Sequence, residues 1–138
     1  MTTGDRAYCW GSNDRGQLGD GTTTTRLKPM MVAGGLRFTR VSPGYDQSGG
    51  VTTGSRAYCW GYNYYGQLGD GSPLGNDTEH LSPVAVAGGL LFSGVGTGQA
   101  HSCGVTTEAR AYCWGAPGLL GDGSSTSTST PVAVVGPM

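Results

Sequence analysis

Apolar residues in this chain come in short runs, cut by clusters of glycine, proline, asparagine, aspartate and serine. The clearest run is Arg6-Ala7-Tyr8-Cys9-Trp10-Gly11, which returns as Arg56 to Gly61 and as Arg110 to Gly115. An extended chain points successive side chains to opposite faces, so Ala and Cys share one face and Tyr and Trp the other. Neither face is polar. A strand of this kind needs cover on both sides, with the rings filling space and the small residues letting the next layer approach. Helical spacing is scarce, and short apolar runs between turn-forming residues predict an all-β chain.

Around the third copy the pattern predicts four strands: Leu91 to Val95, Ser102 to Thr106, Arg110 to Trp114 and Pro131 to Val135. The second copy predicts the same four, at Arg37 to Val41, Ser48 to Thr52, Arg56 to Trp60 and Pro83 to Val86. Copies start 50 and then 54 residues apart (6, 56, 110). Repeats of that period signal stacked units, and four short antiparallel strands per unit is the blade of a β-propeller. The chain divides into a half repeat (1–35) and two repeats (36–89 and 90–138). Thr2-Thr3-Gly4 matches Thr52-Thr53-Gly54, so the first unit holds only its last two strands. The second and third strands form hairpins closed by Thr53-Gly54-Ser55 and Thr107-Glu108-Ala109, with Gly54 suited to positive φ. The loop Ser72 to Ser82 carries an insertion relative to the first copy. Trp10, Trp60 and Trp114 are predicted core residues at equivalent positions.

The run Ala-Tyr-Cys-Trp-Gly-x-Asn-x-x-Gly-Gln-Leu-Gly-Asp-Gly is followed by a Pro-Val strand. Next comes Gly98-Gln99-Ala100-His101-Ser102-Cys103-Gly104-Val105-Thr106-Thr107. Together they resemble the regulator of chromosome condensation repeat family over essentially the whole chain. The third copy departs at Ala116-Pro117-Gly118, where the Asn and the first turn glycine are missing. The resemblance implies units of a seven-bladed propeller. The family's best-known member is a nucleotide-exchange factor for a small GTPase, and many others are binding modules. The positions that match are structural ones, so no exchange-factor residue carries over.

Composition narrows the function classes. With 8 Lys and Arg, 9 Asp and Glu and a net charge of −1, the chain shows no basic stripe for nucleic acid. No apolar run reaches membrane-span length, and Met1 to Asp5 lacks the regions of a signal peptide, so a soluble chain is expected. Asp20, Asp70 and Asp122 recur singly in glycine turns, where Asp bonds its own backbone, and Asn13, Asn63 and Asp14 read the same way. His101 and Cys103 resemble half a metal site, but structural zinc takes four ligands, and a hydrogen-bonded structural His101 fits better. Gln47 holds the matching place one copy earlier. There is no nucleophile elbow and no phosphate loop, so neither a catalytic set nor a cofactor is predicted.

Cys103 and Cys113 stand symmetrically about the third copy's hairpin turn and face each other across two strands. They are expected close enough to bridge if oxidised. Gly49 replaces the first of the pair in the second copy, so Cys9 and Cys59 are expected free. Tyr62, Tyr64 and Tyr65 make one aromatic loop that suits a partner or packs on its own sheet. The function predicted is a non-enzymatic scaffold for protein–protein contact or self-assembly, most simply a dimer. An exchange module or a carbohydrate-binding lectin is the alternative. A lectin would repeat its aromatics, and Tyr62 matches Ser12 and Ala116.

Overall fold

The computed structural model describes residues 4–75, 79–117, 120–124 and 126–135. Thr2, Thr3, Gly118 and Leu119, used in aligning the repeats, and part of the inserted loop lie outside them. Ten strands form three antiparallel sheets. The half sheet pairs β1 (Tyr8–Gly11) with β2 (Arg26–Met31). The second sheet runs β3 (Phe38–Pro43), β4 (Gln47–Thr52), β5 (Ala57–Tyr62), β6 (Glu79–Ala85), in that order. The third repeats it with β7 (Phe92–Thr97), β8 (His101–Thr106), β9 (Ala111–Gly115) and β10 (Thr128–Ala133). No helix of the described residues is long and apolar enough to cross a membrane.

The outer strands begin earlier than their proline-led runs suggest, β6 at Glu79 and β10 at Thr128. Ladder hydrogen bonds carry them across a break in register at Gly61 and its equivalents. Gly61 has φ +107°, and a Cβ there would lie 2.5 Å from the carbonyl oxygen of Asp46, so only glycine fits the bend.

The alternating pattern does what its two apolar faces require. Ala7 and Val32 of the half sheet are buried against Phe38 and Trp60 of the second. Val51, Ala57, Cys59 and Leu68 of the second are buried against Phe92 and Trp114 of the third. Each sheet thus turns its small residues forward and its rings backward. Phe38 tilts against Trp60 at 5.7 Å between centroids, and Phe92 meets Trp114 at 5.9 Å. The core lies between sheets, not within one.

Trp60 and Trp114 are wholly buried, but Trp10 is 62% exposed, which corrects the expectation of three equivalent core tryptophans. The reason is directional. Gly19 of the first turn leaves room for the Trp60 indole, and Gly69 of the second leaves room for Trp114, a Cβ at either falling 2.6 Å from the ring nitrogen. Each indole therefore rests under the turn of the preceding unit, and no described residue stands before Trp10 to supply one.

Positive φ in the hairpin loops falls on Ser55 (64°) and Ala109 (65°), and on Asp5 (58°) in the first copy, not on Gly54. The third residue of such a loop takes the left-handed turn after a type I bend, as the Ser55 N–H to Thr52 carbonyl bond (2.9 Å) requires. An L side chain is strained there. Ala109→Gly is expected to raise stability by about 0.5–1 kcal/mol, read as a higher urea midpoint, because relief of strain exceeds the entropy glycine adds to the unfolded chain.

Candidate functional site

The glycine turns are built around a buried asparagine. In the first, the Leu18 N–H donates to Asn13 Oδ1 (2.9 Å), while Asn13 Nδ2 donates to the carbonyls of Thr22 (2.9 Å) and Thr24 (3.1 Å). In the second, the Leu68 N–H donates to Asn63 Oδ1 (3.0 Å). The Gln17 carbonyl that this fold exposes receives Trp60 Nε1 (3.0 Å) and Ser48 Oγ (2.8 Å) from the next sheet. Ser102 Oγ reaches the Gln67 carbonyl in the same way (2.8 Å). Pro117 stands at the asparagine's place in the third turn.

The three aspartates do not converge. Asp20 takes bonds from Thr22 and from Arg26 Nε (3.0 Å), Asp70 from Ser72, and Asp122 from Ser124. His80 Nε2 also lies 3.5 Å from Asp70. Among the described residues no three His, Cys, Asp or Glu side chains gather as a metal would need. His101 packs on Gly98, and its buried Nδ1 has no hydrogen-bond partner among the described residues, unlike the bonded histidine expected. Gln47 is the residue that bridges there, with Nε2 donating to the carbonyls of Gly98 (2.8 Å) and His101 (3.2 Å).

Partial burial would raise the Asp20 pKa, but hydrogen bonds from Thr22, Arg26 and Asn13 outweigh it and hold the carboxyl below its ordinary 3.8. A lowered carboxyl contributes stability that is present above about pH 3.8 and lost as pH falls through the folded value. The stability gap between wild type and Asp20→Asn is expected to be open at pH 6 and to close below pH 3.8, as urea melts across that range would show.

Cys103 and Cys113 lie directly opposite in the β8–β9 ladder, Cα atoms 4.0 Å apart, and form a disulfide. Cys59 is opposite Gly49 and fully buried. Burial, with the nearby Asp70 charge, pushes its thiol up to about 12. Cys9 is free and half-buried, its thiol raised by burial and by Asp20.

Tyr62, Tyr64 and Tyr65 form a ring cluster. Tyr62 and Tyr64 are near-parallel at 6.4 Å, and Tyr65 meets Tyr64 edge-on at 5.2 Å. The Arg15 guanidinium of the preceding turn covers Tyr62 at 4.7 Å and pairs with Glu79 at 3.8 Å. Tyr62 is thereby tied between units, while Tyr64 and Tyr65 stay exposed. Beside them in exposure stand residues that no sequence signal singled out, Tyr45 (74%) among them. Tyr45 borders a cleft of about 480 Å³ between the half sheet and the second sheet, lined also by Cys9, Trp10, Val41 and Pro43.

Four-stranded antiparallel sheets, stacked ring to small residue and joined through glycine turns, define a stretch of β-propeller. The profile of the regulator of chromosome condensation (RCC1) repeat matches residues 5–51 and 55–105, and the chain belongs to that family. It is 46% identical over 50 residues, 35% of this chain, to the human E3 ubiquitin-protein ligase HERC2, of which those residues are 1%. Human WBSCR16 shares the fold at TM-score 0.82 and 20% identity, over 96% of this chain and 34% of that one. Prp20p of Saccharomyces cerevisiae does so at 0.81 and 22%, over 99% and 35%. The chain thus spans about a third of the solved propellers it matches.

Proposed function

We propose that the chain is a non-enzymatic propeller-repeat scaffold that presents sheet faces and loops to a protein partner, the first partner being a second copy in a dimer. The observation that carries this reading is Trp10, 62% exposed where Trp60 and Trp114 are wholly buried. Exposed aromatic surface of that kind marks interaction sites. Tyr64 and Tyr65 supply a second contact, on the loop rim. Protein binding also fits the relatives. The Prp20p structure is described with its binding to Gsp1p and histones, and another holds Kap60 bound to it. The exchange reading would need a larger preformed face than this chain, about a third of the solved structures it matches, presents. A lectin reading has only the Tyr62–Tyr64 pair, unrepeated in the other copies. Light scattering at micromolar concentration is expected to report about twice the chain mass. A monodisperse folded monomer throughout would overturn self-association.

A further inference from the structure

We propose that the hairpin end of the sheets is a docking surface for an acidic protein segment, held through arginines that the fold collects there. This rests on the protein-binding reading and names the chemistry of a partner other than a second copy. In the sequence the arginines stand apart and form no basic stripe. The strands bring them together. Arg6, Arg37, Arg56 and Arg110 come just before β1, β3, β5 and β9. Within each sheet such strands run the same way, so their starts share one end. The Phe38 N–H donates to the Asp5 carbonyl and the Phe92 N–H to the Ser55 carbonyl, both at 2.7 Å, which ties these ends of successive units side by side. Arg37, Arg56 and Arg110 are exposed, as is Arg40 on β3.

The ion pairs lie at the other end. Arg15 pairs with Glu79, Arg26 with Asp20 and His80 with Asp70, all beside the glycine turns. Among the described residues no carboxylate pairs with the five remaining arginines. The hairpin end thus keeps those five against two carboxylates, Asp5 and Glu108. Two of the five are also held in place. Arg37 Nη1 donates to the Gly4 carbonyl (2.9 Å) and Arg56 Nη1 to that of Gly89 (3.1 Å). A guanidinium has several N–H donors, so each bond fixes the group and leaves a fork for a carboxylate. Arg37 and Arg56 precede strands separated by β4 alone, which sets them about 10 Å apart, or about three residues of an extended segment. Nucleic acid fits less well. Duplex binders commonly neutralise more phosphates than this end can, and single strands stack on exposed rings. The exposed Tyr45, Tyr64 and Tyr65 stand at the opposite end.

Fluorescence anisotropy tests this with a fluorescein-labelled peptide of alternating glutamate and serine. The wild-type chain is expected to bind it at low salt and more weakly as salt rises, since screening acts on exposed pairs. Arg37→Gln with Arg56→Gln is expected to bind about tenfold more weakly. Lys28→Gln, a charge lost from β2 away from the rim, is expected to bind as wild type does. Arg40→Gln with Arg110→Gln repeats the test on exposed side chains that hold no backbone carbonyl, so a weaker peptide complex is expected there even where the first pair melts early. Binding that neither arginine pair changes would overturn the surface. So would a folded wild-type chain that leaves the peptide free, or one that binds a single-stranded oligothymidylate more tightly than the peptide. None of these outcomes alters the mass by light scattering, so self-association stands or falls separately.

Discussion

Trp60→Ala is expected to lower stability by roughly 3–5 kcal/mol, the range for truncating a large buried aromatic. The ring is wholly buried, lies 5.7 Å from Phe38 and donates through Nε1 to the Gln17 carbonyl at 3.0 Å. Alanine leaves a cavity between two sheets and removes one of the bonds that join them. A loss of that size is a large share of a small domain's stability of about 5–15 kcal/mol. Trp10→Ala is the control, since a ring 62% exposed contributes far less. Urea midpoints of the two variants should separate widely. An unchanged midpoint for Trp60→Ala would mean that the sheets are not held through that ring.

Asn13→Ala is the second large effect, about 2–4 kcal/mol. Asn13 is wholly buried and holds the turn from inside, accepting from Leu18 and donating to the carbonyls of Thr22 and Thr24. Alanine fills little of the space and leaves those backbone groups short of partners, each an expensive loss when water cannot replace it. Thermal melts should place the variant well below wild type, and a difference within about 0.5 kcal/mol would show that solvent reaches the turn. The third turn already has Pro117 at this place, so it is held by other means.

The repeats made the architecture legible, because the two-residue alternation in Ala-Tyr-Cys-Trp states which side chains meet across sheets. The Cys103–Cys113 pairing followed from symmetry about a hairpin. What the chain hid were effects of neighbours. Trp10 has the same local sequence as Trp60, and its exposure depends on a turn that comes from another unit. Ser55 takes the left-handed bend although Gly54 stands beside it, because loop position decides. Tyr45 carries no repeat signature and gains its place on the cleft only when two sheets are set together. The tyrosine loop was visible as aromatic residues, but Arg15 clasping Tyr62 from the preceding turn was not.

The rest of each indole under the preceding turn also fixes where the molecule can come apart. Hydrogen-bonded sheets are the visible pieces, yet Gln17 and Gly19 belong by contact to Trp60 and Ser48 in the piece that follows. The cooperative units of opening are therefore offset from the sheets by one turn, and stability passes along the chain as nearest-neighbour coupling. In native-state amide exchange, the Leu18 and Gly19 amides should open with the second sheet, and should stay protected while the ladder of β1 and β2 frays.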